Sequence, residues 1–387
     1  MAAMQKIGPV WAEINLDKLE HNIHEVTRVV KKETLICAVV KADGYGHGAP
    51  EIAKTLLKNG ADRLAVATVP EALRLRRFGI KVPIIVLGYT DESWGEDILD
   101  KNIIQTVLSY QQAQYFSQLA RDQGKKMTIH IKIDTGMSRL GLQVNDDTIE
   151  KIKKMFILPN IIIEGIYTHF AVADESDKTF TYEQFNKFMS LVNALERDGY
   201  HIPIKHVSNS AAIIDLPEMN LDMVRAGIIL YGLYPSLEVN KEAMNLKQVM
   251  ELKTRVSHIK TLPPGRGISY GLKYKTDGER QIITLPVGYA DGFTRMLTGK
   301  AEVLVRGKTL PIVGKICMDQ CMADATGMNI DLGEEVTLYS SDPGSNNTID
   351  RVAAKLGTIN YEIICMVGKR VPRVYIRDRE YIHVKEY

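Results

Sequence analysis

The chain has 387 residues, of which 45% are hydrophobic and 25% charged, and its formal net charge is only +2. These values are ordinary for a soluble globular protein, and the length suggests two domains. Because the basic residues are scattered and no apolar run is long enough to span a bilayer, nucleic acid and membrane are excluded as partners. Four cysteines are too few for a disulfide scaffold, and Met1 to Trp11 lacks the apolar core of a signal peptide, so we expect a cytoplasmic protein.

Short β-branched runs alternate with helical patterns through the first part of the chain. Each run is continuously apolar, which predicts strands buried on both faces. Strand–helix alternation repeated about eight times favours a (β/α)8 TIM-like barrel over a doubly wound open sheet, which uses fewer strands. The predicted strands are Ile36–Val40, Leu64–Thr68, Ile84–Leu87, Ile104–Leu108, Thr128–Ile133, Ile161–Tyr167, Ile204–Val207 and Val224–Leu230. The predicted helices include Pro50–Asn59, Pro70–Phe78, Gln111–Gln123 and Thr181–Asp198.

The pattern changes after Tyr234, where strand-like segments separated by turn signals predict a mostly β C-terminal domain with one helix over Ile349–Leu356. We expect the boundary between Ser236 and Lys253, giving a barrel over residues 1–240 and a β-rich domain over 241–387. The strand-like segment Val10–Ile14 precedes the first barrel helix, so residues 1–14 are candidates to pair with the second domain.

Polar residues follow several of the predicted barrel strands, at the ends where catalytic groups lie in such barrels. Lys41 is the strongest candidate for a catalytic residue among them. A lysine at the end of a buried strand is desolvated, and desolvation favours the neutral, nucleophilic amine that Schiff-base chemistry requires. The glycine-rich turn that follows lacks the G-x-G-x-x-G spacing of a dinucleotide site. The other polar residues at these ends include Lys132, Arg139, His169, Asn209, Ser210 and Arg225.

The segment Val39–Gly48, read VVKADGYGHG, resembles the pyridoxal phosphate (PLP) attachment motif of alanine racemases. The resemblance covers nearly the whole chain and implies a PLP-dependent isomerase that interconverts L- and D-alanine and supplies D-alanine for peptidoglycan synthesis. It also implies a homodimer whose active site is shared between subunits. Further segments that carry it are Lys132–Gly141, Ser208–Ala211, Arg225–Ile228, Ser269–Gly271 and Cys317–Asp319.

The resemblance also implies roles for single residues, with no metal among them. Lys41 carries PLP and serves as one catalytic base, while Tyr270 is the second base and reaches the PLP of the partner subunit. Arg139 and Met318 bind the substrate, and Lys132 resembles a lysine that can be carbamylated. The cofactor-binding set is Lys41, Tyr45, Arg139, His169, Asn209, Ser210, Arg225, Gly227, Ile228 and Tyr361.

Arg225 resembles the arginine that faces the pyridine nitrogen of PLP. A guanidinium stays charged and can only donate, so the ring nitrogen stays unprotonated and withdraws electrons less strongly, which suits a racemase. His206 resembles the histidine that contacts the Tyr270 phenol, and Tyr289 and Arg295 resemble residues of the channel leading to the site.

Three alternatives stay open on the sequence. A PLP-dependent decarboxylase shares the scaffold but usually places a carboxylate at the ring nitrogen and lacks the Ser-Tyr-Gly segment. A racemase for serine or another small amino acid differs less. A non-catalytic PLP-binding protein of the single-barrel type lacks the second domain.

Overall fold

The structure, a computed structural model, describes residues 7–385. Residues 1–6, which belong to the predicted N-terminal pairing segment, lie outside the described residues. The chain divides into two compact units. Among the described residues, the barrel unit comprises residues 19–44 and 49–246, and the β unit comprises residues 7–18, 45–48 and 247–385.

Strands and helices follow one another along the chain with these bounds. The strands are β1 (Val10–Asn15), β2 (Leu35–Val39), β3 (Arg63–Val66), β4 (Ile84–Val86), β5 (Ile104–Val107), β6 (Met127–Asp134), β7 (Leu142–Gln143), β8 (Ile161–Tyr167), β9 (Ile204–His206), β10 (Met223–Ala226), β11 (Met250–Arg255), β12 (His258–Leu262), β13 (Gly267–Ile268), β14 (Tyr274–Lys275), β15 (Arg280–Leu285), β16 (Glu302–Val305), β17 (Lys308–Val313), β18 (Cys321–Asp324), β19 (Glu335–Tyr339), β20 (Arg373–Arg377) and β21 (Glu380–Lys385). The helices are α1 (Leu16–Val29), α2 (Lys41–Tyr45), α3 (Ala49–Lys58), α4 (Val69–Arg77), α5 (Gly95–Asp100), α6 (Tyr110–Asp122), α7 (Asp146–Phe156), α8 (Thr179–Arg197), α9 (Ser210–Asp215), α10 (Ile349–Leu356) and α11 (Asn360–Met366).

The barrel unit confirms the predicted (β/α)8 architecture. Its parallel strands run in the order β10-β2-β3-β4-β5-β6-β8-β9, with the short β7 attached to β6. Two backbone hydrogen bonds close the ring between its ends, from Asp222 N to Lys205 O and from Arg225 N to Ser208 O, each 3.0 Å long. The strand cores are fully buried because helices cover their outer faces, as continuous apolar runs require.

The eighth predicted strand, Val224–Leu230, is wrong at its C-terminal end. Strand β10 ends at Ala226, and Ile228–Tyr231 form a 3₁₀ helix. The break falls at Gly227, whose backbone N–H donates to Ser210 Oγ at 3.0 Å instead of continuing the sheet. A continuous apolar run cannot distinguish a strand from a buried helical turn, and this accounts for the error.

The β unit is built on a ten-stranded sheet, which confirms the predicted mostly β C-terminal domain. Its strands run in the order β12-β15-β18-β17-β16-β19-β11-β1-β20-β21. Strand β1 lies inside this sheet, antiparallel to β11 with Ala12 opposite Leu252, and parallel to β20 with Ile14 opposite Tyr375. The predicted helix over Ile349–Leu356 is present as α10, where Thr348 caps its N-terminus by accepting from Arg351 N.

The glycine-rich turn after Lys41 belongs in part to the β unit. The carbonyl of Gly46 accepts from Arg373 Nε at 2.8 Å, and the carbonyl of His47 accepts from the Tyr375 hydroxyl at 3.0 Å. A Cβ on Gly46 would lie 2.5 Å from the Ile364 carbonyl oxygen, so this close approach requires glycine. Among residues 7–385, no helix combines the length and apolar character that crossing a membrane demands.

Candidate active site

Lys41 opens α2, which is not a regular α-helix but a short turn at the end of β2 with left-handed backbone angles. Ala42 and Asp43 both have φ of 52°, a conformation that costs an L-residue roughly 1–2 kcal/mol, and Gly44 continues the turn at φ of 65°. The turn is held by hydrogen bonds from Gly44 N to Val40 O at 2.8 Å and from Ala42 N to Glu71 Oε1 at 2.7 Å. Backbone strain maintained in this way is typical of functional sites.

Asp43 anchors the same turn from its other side. Its Oδ1 accepts from Ala49 N at 2.9 Å and lies 3.2 Å from the Arg74 guanidinium. The position of Lys41 is therefore set by side chains on both sides of the turn, which limits the positions that its amine can take.

Lys41 lines a cavity of about 200 Å³ at the C-terminal end of the barrel strands. Four of the sequence-predicted residues line it with Lys41, and all four carry cationic or imidazole side chains. They are Lys132, Arg139, His169 and Arg225. The other lining residues are Ala67, Leu87, Gly88, Leu140 and Tyr167. A site dominated by cationic side chains favours an anionic ligand.

Lys132 is buried on β6, where its Nζ donates to the carbonyl of Ile133 at 2.8 Å. The Nζ also lies 5.2 Å from the centre of the Tyr167 ring. Burial, followed by the nearby charge of Arg225, lowers the pKa of Lys132 to about 7. Close to neutral pH, the amine is therefore divided between its charged and neutral forms.

Arg139 reaches the rim on the loop that follows β6. Asp134 shapes this loop, because its Oδ1 accepts from the backbone N–H groups of Gly136 and Ser138, each at 3.0 Å. The loop then folds back so tightly that a Cβ on Gly141 would lie 2.9 Å from the carbonyl oxygen of Lys132. The Asp-Thr-Gly turn thus explains how Lys132 and Arg139 come to line one cavity.

Arg225 is held by a ring of acceptors and is only 3% exposed. Its guanidinium donates to three backbone carbonyls and to two histidine rings. The acceptors are His206 O at 3.0 Å, Thr168 O at 2.9 Å, Val207 O at 3.0 Å, His206 Nδ1 at 2.9 Å and His169 Nδ1 at 3.2 Å. Burial lowers the pKa of Arg225 to about 10, which still leaves the group charged at neutral pH.

The two histidines beside Arg225 have different surroundings. His169 lines the cavity, whereas His206 is fully buried and bonded through both ring nitrogens, to Arg225 and to His130 Nδ1 at 2.9 Å. The interpretation of His206 as the histidine that contacts the Tyr270 phenol is therefore wrong, since neither nitrogen is available. His169, on the cavity wall, is the better candidate for a contact with a reacting group.

The predicted phosphate-binding residues of the barrel unit lie close to one another. Asn209 caps α9 by accepting from Ala212 N at 3.1 Å, and Ser210 follows it. Ser210 Oγ accepts from Gly227 N, and Ile228 begins the 3₁₀ helix. The first N–H groups of a helix lack intrahelical acceptors and suit an anion.

Tyr45 and Tyr361 form a second group, within the β unit. Their ring centroids are 6.2 Å apart, and Tyr361 lies on α11. Burial raises the pKa of the Tyr45 phenol far above its ordinary range, so Tyr45 stays a neutral hydroxyl.

A third group of predicted residues lies on the surface of the β unit. Tyr270 and Met318 line a pocket of about 440 Å³ and are 69% and 54% exposed. Ser269 precedes Tyr270 at φ of 63°, and its hydroxyl donates to the carbonyl of Lys315 at 2.6 Å. Exposed large side chains beside a strained, hydrogen-bonded turn are typical of a protein interface or of a site that another molecule completes.

The predicted channel residue Tyr289 and its neighbour Ala290 contact this surface group through the backbone. Tyr289 N donates to the carbonyl of Cys317 at 3.1 Å, and Ala290 N donates to that of Met318 at 3.0 Å. A Cβ on Gly288 would lie 2.3 Å from the Cys317 oxygen, so glycine permits this approach. Arg295 is exposed, and nothing in the structure tests its predicted place in a channel.

Two family models match most of the chain. Residues 14–235 match the N-terminal domain of alanine racemase, and residues 249–375 match its C-terminal domain. The chain belongs to the alanine racemase family. Family membership confirms the enzyme class that the motifs predicted, and the match to the second domain argues against a single-barrel PLP-binding protein.

Individual family members are similar over almost their whole length. The alanine racemase of Clostridium tetani is 52% identical over 383 residues, covering 98% of this chain and 99% of that protein. A solved alanine racemase of Clostridium difficile 630 has a TM-score of 0.94 at 46% identity, with 98% of each chain covered. That of Bacillus anthracis with bound L-Ala-P has a TM-score of 0.93 at 37% identity, also with 98% of each covered.

Tyr167 also lines the cavity, although it was not among the site residues predicted from the sequence. The centre of its ring lies 5.2 Å from Lys132 Nζ and 5.3 Å from the guanidinium carbon of Arg225. Its hydroxyl lies 2.9 Å from Thr106 Oγ1. The signal was present, because Tyr167 is the last residue of the predicted sixth strand.

Proposed function

We propose that this enzyme interconverts L- and D-alanine with PLP, using Lys41 and Tyr270 as bases on opposite faces of the substrate. The observation that carries the proposal is the barrel-rim cavity, which Lys41 lines together with Arg225 and Arg139. One amine among fixed cations suits a ligand that is both an aldehyde and an anion, and PLP is such a ligand.

The donor groups of the chain fit PLP. Lys41 would bind the aldehyde carbon and Arg225 would donate to the pyridine nitrogen. The backbone N–H of Ile228 and the hydroxyl of Ser210 would hold the phosphate, with Tyr45 and Tyr361 as further hydroxyl donors. Arg139 would donate to the phenolic oxygen and to the substrate carboxylate. Asn209, His169 and Gly227 complete the proposed set.

Racemisation requires that the Cα proton leave one face of the substrate and return on the other. Bound PLP supplies the electron withdrawal that makes this proton acidic. Lys41 Nζ then takes or returns the proton on one face, and the Tyr270 hydroxyl does so on the other. A positioned acid–base group typically contributes about 10²–10⁴-fold to the rate.

Tyr270 is proposed to act on the site of the partner subunit. Its side chain is largely exposed, as is that of Met318 in the same pocket, and such exposure fits residues that complete a second copy's site. The catalytic unit would then be a homodimer, and Met318 would contact the substrate carboxylate across the interface.

The permanent charge of Arg225 shapes the outcome of proton transfer. Because its guanidinium donates and cannot accept, Arg225 would keep the pyridine nitrogen of bound PLP unprotonated, and the cofactor would then withdraw electrons from Cα less strongly. Reprotonation at Cα is then favoured over reprotonation at the neighbouring carbon, which would lead to transamination.

Lys132 is proposed to exist as a carbamate. Carbon dioxide adds only to a neutral amine, and burial together with Arg225 lowers the pKa of Lys132 to about 7. The ammonium first loses one proton to give the neutral amine, and the addition then forms the N–C bond and releases a second proton, so that an anion replaces a cation. That anion would orient Arg139 by charge attraction instead of repelling it.

Alanine as substrate rests on the relatives, and we further propose that the D-alanine product serves peptidoglycan synthesis. The alanine racemase of Clostridium tetani matches this chain over nearly its whole length, and one solved relative is a complex with cycloserine. A channel narrowed by Tyr289 would exclude side chains much larger than methyl. We propose the cytoplasm as the location, where D-alanine would be made for the cell wall.

Incubation with L-alanine and PLP in heavy water tests the proposal. We expect D-alanine that carries deuterium at Cα, whereas carbon dioxide release would indicate a decarboxylase and absence of exchange a carrier. Serine in a parallel incubation measures substrate strictness. Lys41→Ala should remove the PLP absorbance near the visible edge, and Lys58→Ala, an exposed lysine on α3, serves as the control.

A further inference from the structure

A column of polar side chains runs through the interior of the barrel, where branched apolar residues usually pack. It starts at the cavity with Arg225, whose guanidinium donates to His206 Nδ1 at 2.9 Å. His206 Nε2 lies 2.9 Å from His130 Nδ1, and His130 Nε2 lies 3.0 Å from Glu164 Oε2. Arg63 ends the column with an ion pair to the same carboxylate oxygen at 2.6 Å.

The contacts of the column permit a single arrangement of protons. Glu164 is a carboxylate and can only accept, because hydrogen bonds from His130 and Arg63 outweigh the effect of burial and bring its pKa to about 2. His130 must then carry its proton on Nε2, which leaves Nδ1 to accept from His206 Nε2. His206 Nδ1 is in turn unprotonated and accepts from Arg225.

Both imidazoles suit this neutral arrangement. His130 and His206 are fully buried, and burial lowers the pKa of His130 and places that of His206 well below its ordinary value. The barrel is also shaped to admit the His130 ring. Gly165 lies opposite His130 in the sheet, and a Cβ there would lie 2.4 Å from the His130 ring.

We propose that Glu164 and His130 are positioning residues that fix the tautomer of His206 and thereby hold Arg225 as a hydrogen-bond donor at the catalytic cavity. The inference rests on the proposed role of Arg225 toward the pyridine nitrogen of PLP. It assigns a function to a carboxylate that touches neither the cavity nor the reacting atoms.

The consequence of losing the acceptor follows from the chain of contacts. Without Glu164, His130 can carry its proton on Nδ1, where it would oppose the N–H of His206. His206 would then carry its proton on Nδ1, directly against the N–H of Arg225. Two donors facing one another in a buried site displace one of them, so the guanidinium moves.

Nitrogen-15 NMR of the PLP-loaded enzyme, labelled in its histidine rings, tests the proposal. In the native enzyme we expect Nδ1 of both His130 and His206 to lack a bonded proton and both Nε2 atoms to show one. His206→Gln and His130→Gln assign the signals. The native pattern is itself a test, and a proton on Nδ1 of either ring would overturn the inference.

Variants at position 164 separate hydrogen bonding from charge and from general disruption. Glu164→Leu should give mixed tautomers and lower kcat by about tenfold, near the lower end of the loss typical when an outer hydrogen-bonding partner is removed. Glu164→Gln keeps an acceptor oxygen and should retain the native pattern. Glu196→Leu, which removes another barrel carboxylate paired with Lys205 at 3.2 Å, is the control.

Gly165→Ala provides a second route to the same result, because its methyl group would displace the His130 ring. An unchanged tautomer pattern in Glu164→Leu or in Gly165→Ala would contradict the proposal. The ring-nitrogen signals do not depend on which substrate is turned over. A failure to racemise alanine therefore refutes the proposed function and is distinguishable from failure of this inference.

Discussion

Lys132 provides a quantitative test of the electrostatics of the cavity. Burial and the neighbouring Arg225 lower its pKa to about 7. At pH 8 an amine with that pKa is about 90% neutral, whereas an ordinary lysine with a pKa of about 10.4 is about 0.4% neutral. Lys132 therefore presents about 200 times more neutral amine than a surface lysine does.

We predict that this amine carries a carbamate when the enzyme is equilibrated with carbon-13 bicarbonate at pH 8. Carbon-13 NMR should show a protein-bound carbamate signal in the native enzyme and in Lys187→Met, which removes an exposed lysine. The signal should be absent from Lys132→Met, whose side chain is similar in length but has no amine.

The pH dependence has a definite sign. Because the ammonium form does not add carbon dioxide, the signal should weaken as the pH falls through about 7, the pKa of Lys132. A native enzyme without the signal at pH 8, or a signal that survives in Lys132→Met, would refute the reasoning.

Three further predictions concern stability, measured by urea or acid unfolding. Gly46→Ala should lower the free energy of unfolding by about 2–4 kcal/mol, because φ at this residue is +80° and the new Cβ would clash with the Ile364 carbonyl. The control Gly79→Ala has a similar φ of +84° but open space around its Cβ, so it should lower the free energy of unfolding by only about 1–2 kcal/mol. Equal losses in the two variants would contradict the clash. Arg373→Met should cost at least about 3 kcal/mol, because it leaves the carbonyls of Gly46 and Val367 without their donor, and a near-neutral effect would show that water replaces it. Glu164 has its pKa lowered to about 2, so its stabilisation is present above its unfolded pKa of about 4.3 and is lost as the pH falls through about 2. Glu164→Gln should therefore flatten the acid dependence by about 3 kcal/mol, and an unfolding curve parallel to that of the native enzyme would contradict this.

Much of the barrel could be predicted because its strands are buried on both faces. Continuous β-branched runs identified the barrel strands, and helical patterns identified four of the helices between them, α3, α4, α6 and α8. Helix α11 was missed, because Asn360–Met366 is too short to show a helical period and lies in a domain read as β. Short elements of this kind depend on tertiary packing more than on local sequence.

The rim residues could be predicted because strand ends in a barrel converge, so Lys41, Lys132 and Arg225 come to one cavity. The residues behind them could not be predicted. Nothing in the local sequence distinguishes an inward-facing His130 from an outward-facing one, and its role depends on Glu164 on a neighbouring strand. The error at His206 has the same origin, since its partners are set by the sheet and not by adjacent residues.

Mixing of two inactive variants tests the central claim most directly. Lys41→Ala and Tyr270→Ala each remove one base, and random exchange of subunits makes about half of the dimers mixed. If Tyr270 serves the partner's site, each mixed dimer regains one complete site, and the mixture should recover about a quarter of the native rate of alanine racemisation. If the mixture stays as inactive as its parents after subunit exchange is demonstrated, then Lys41 and Tyr270 do not meet across two chains.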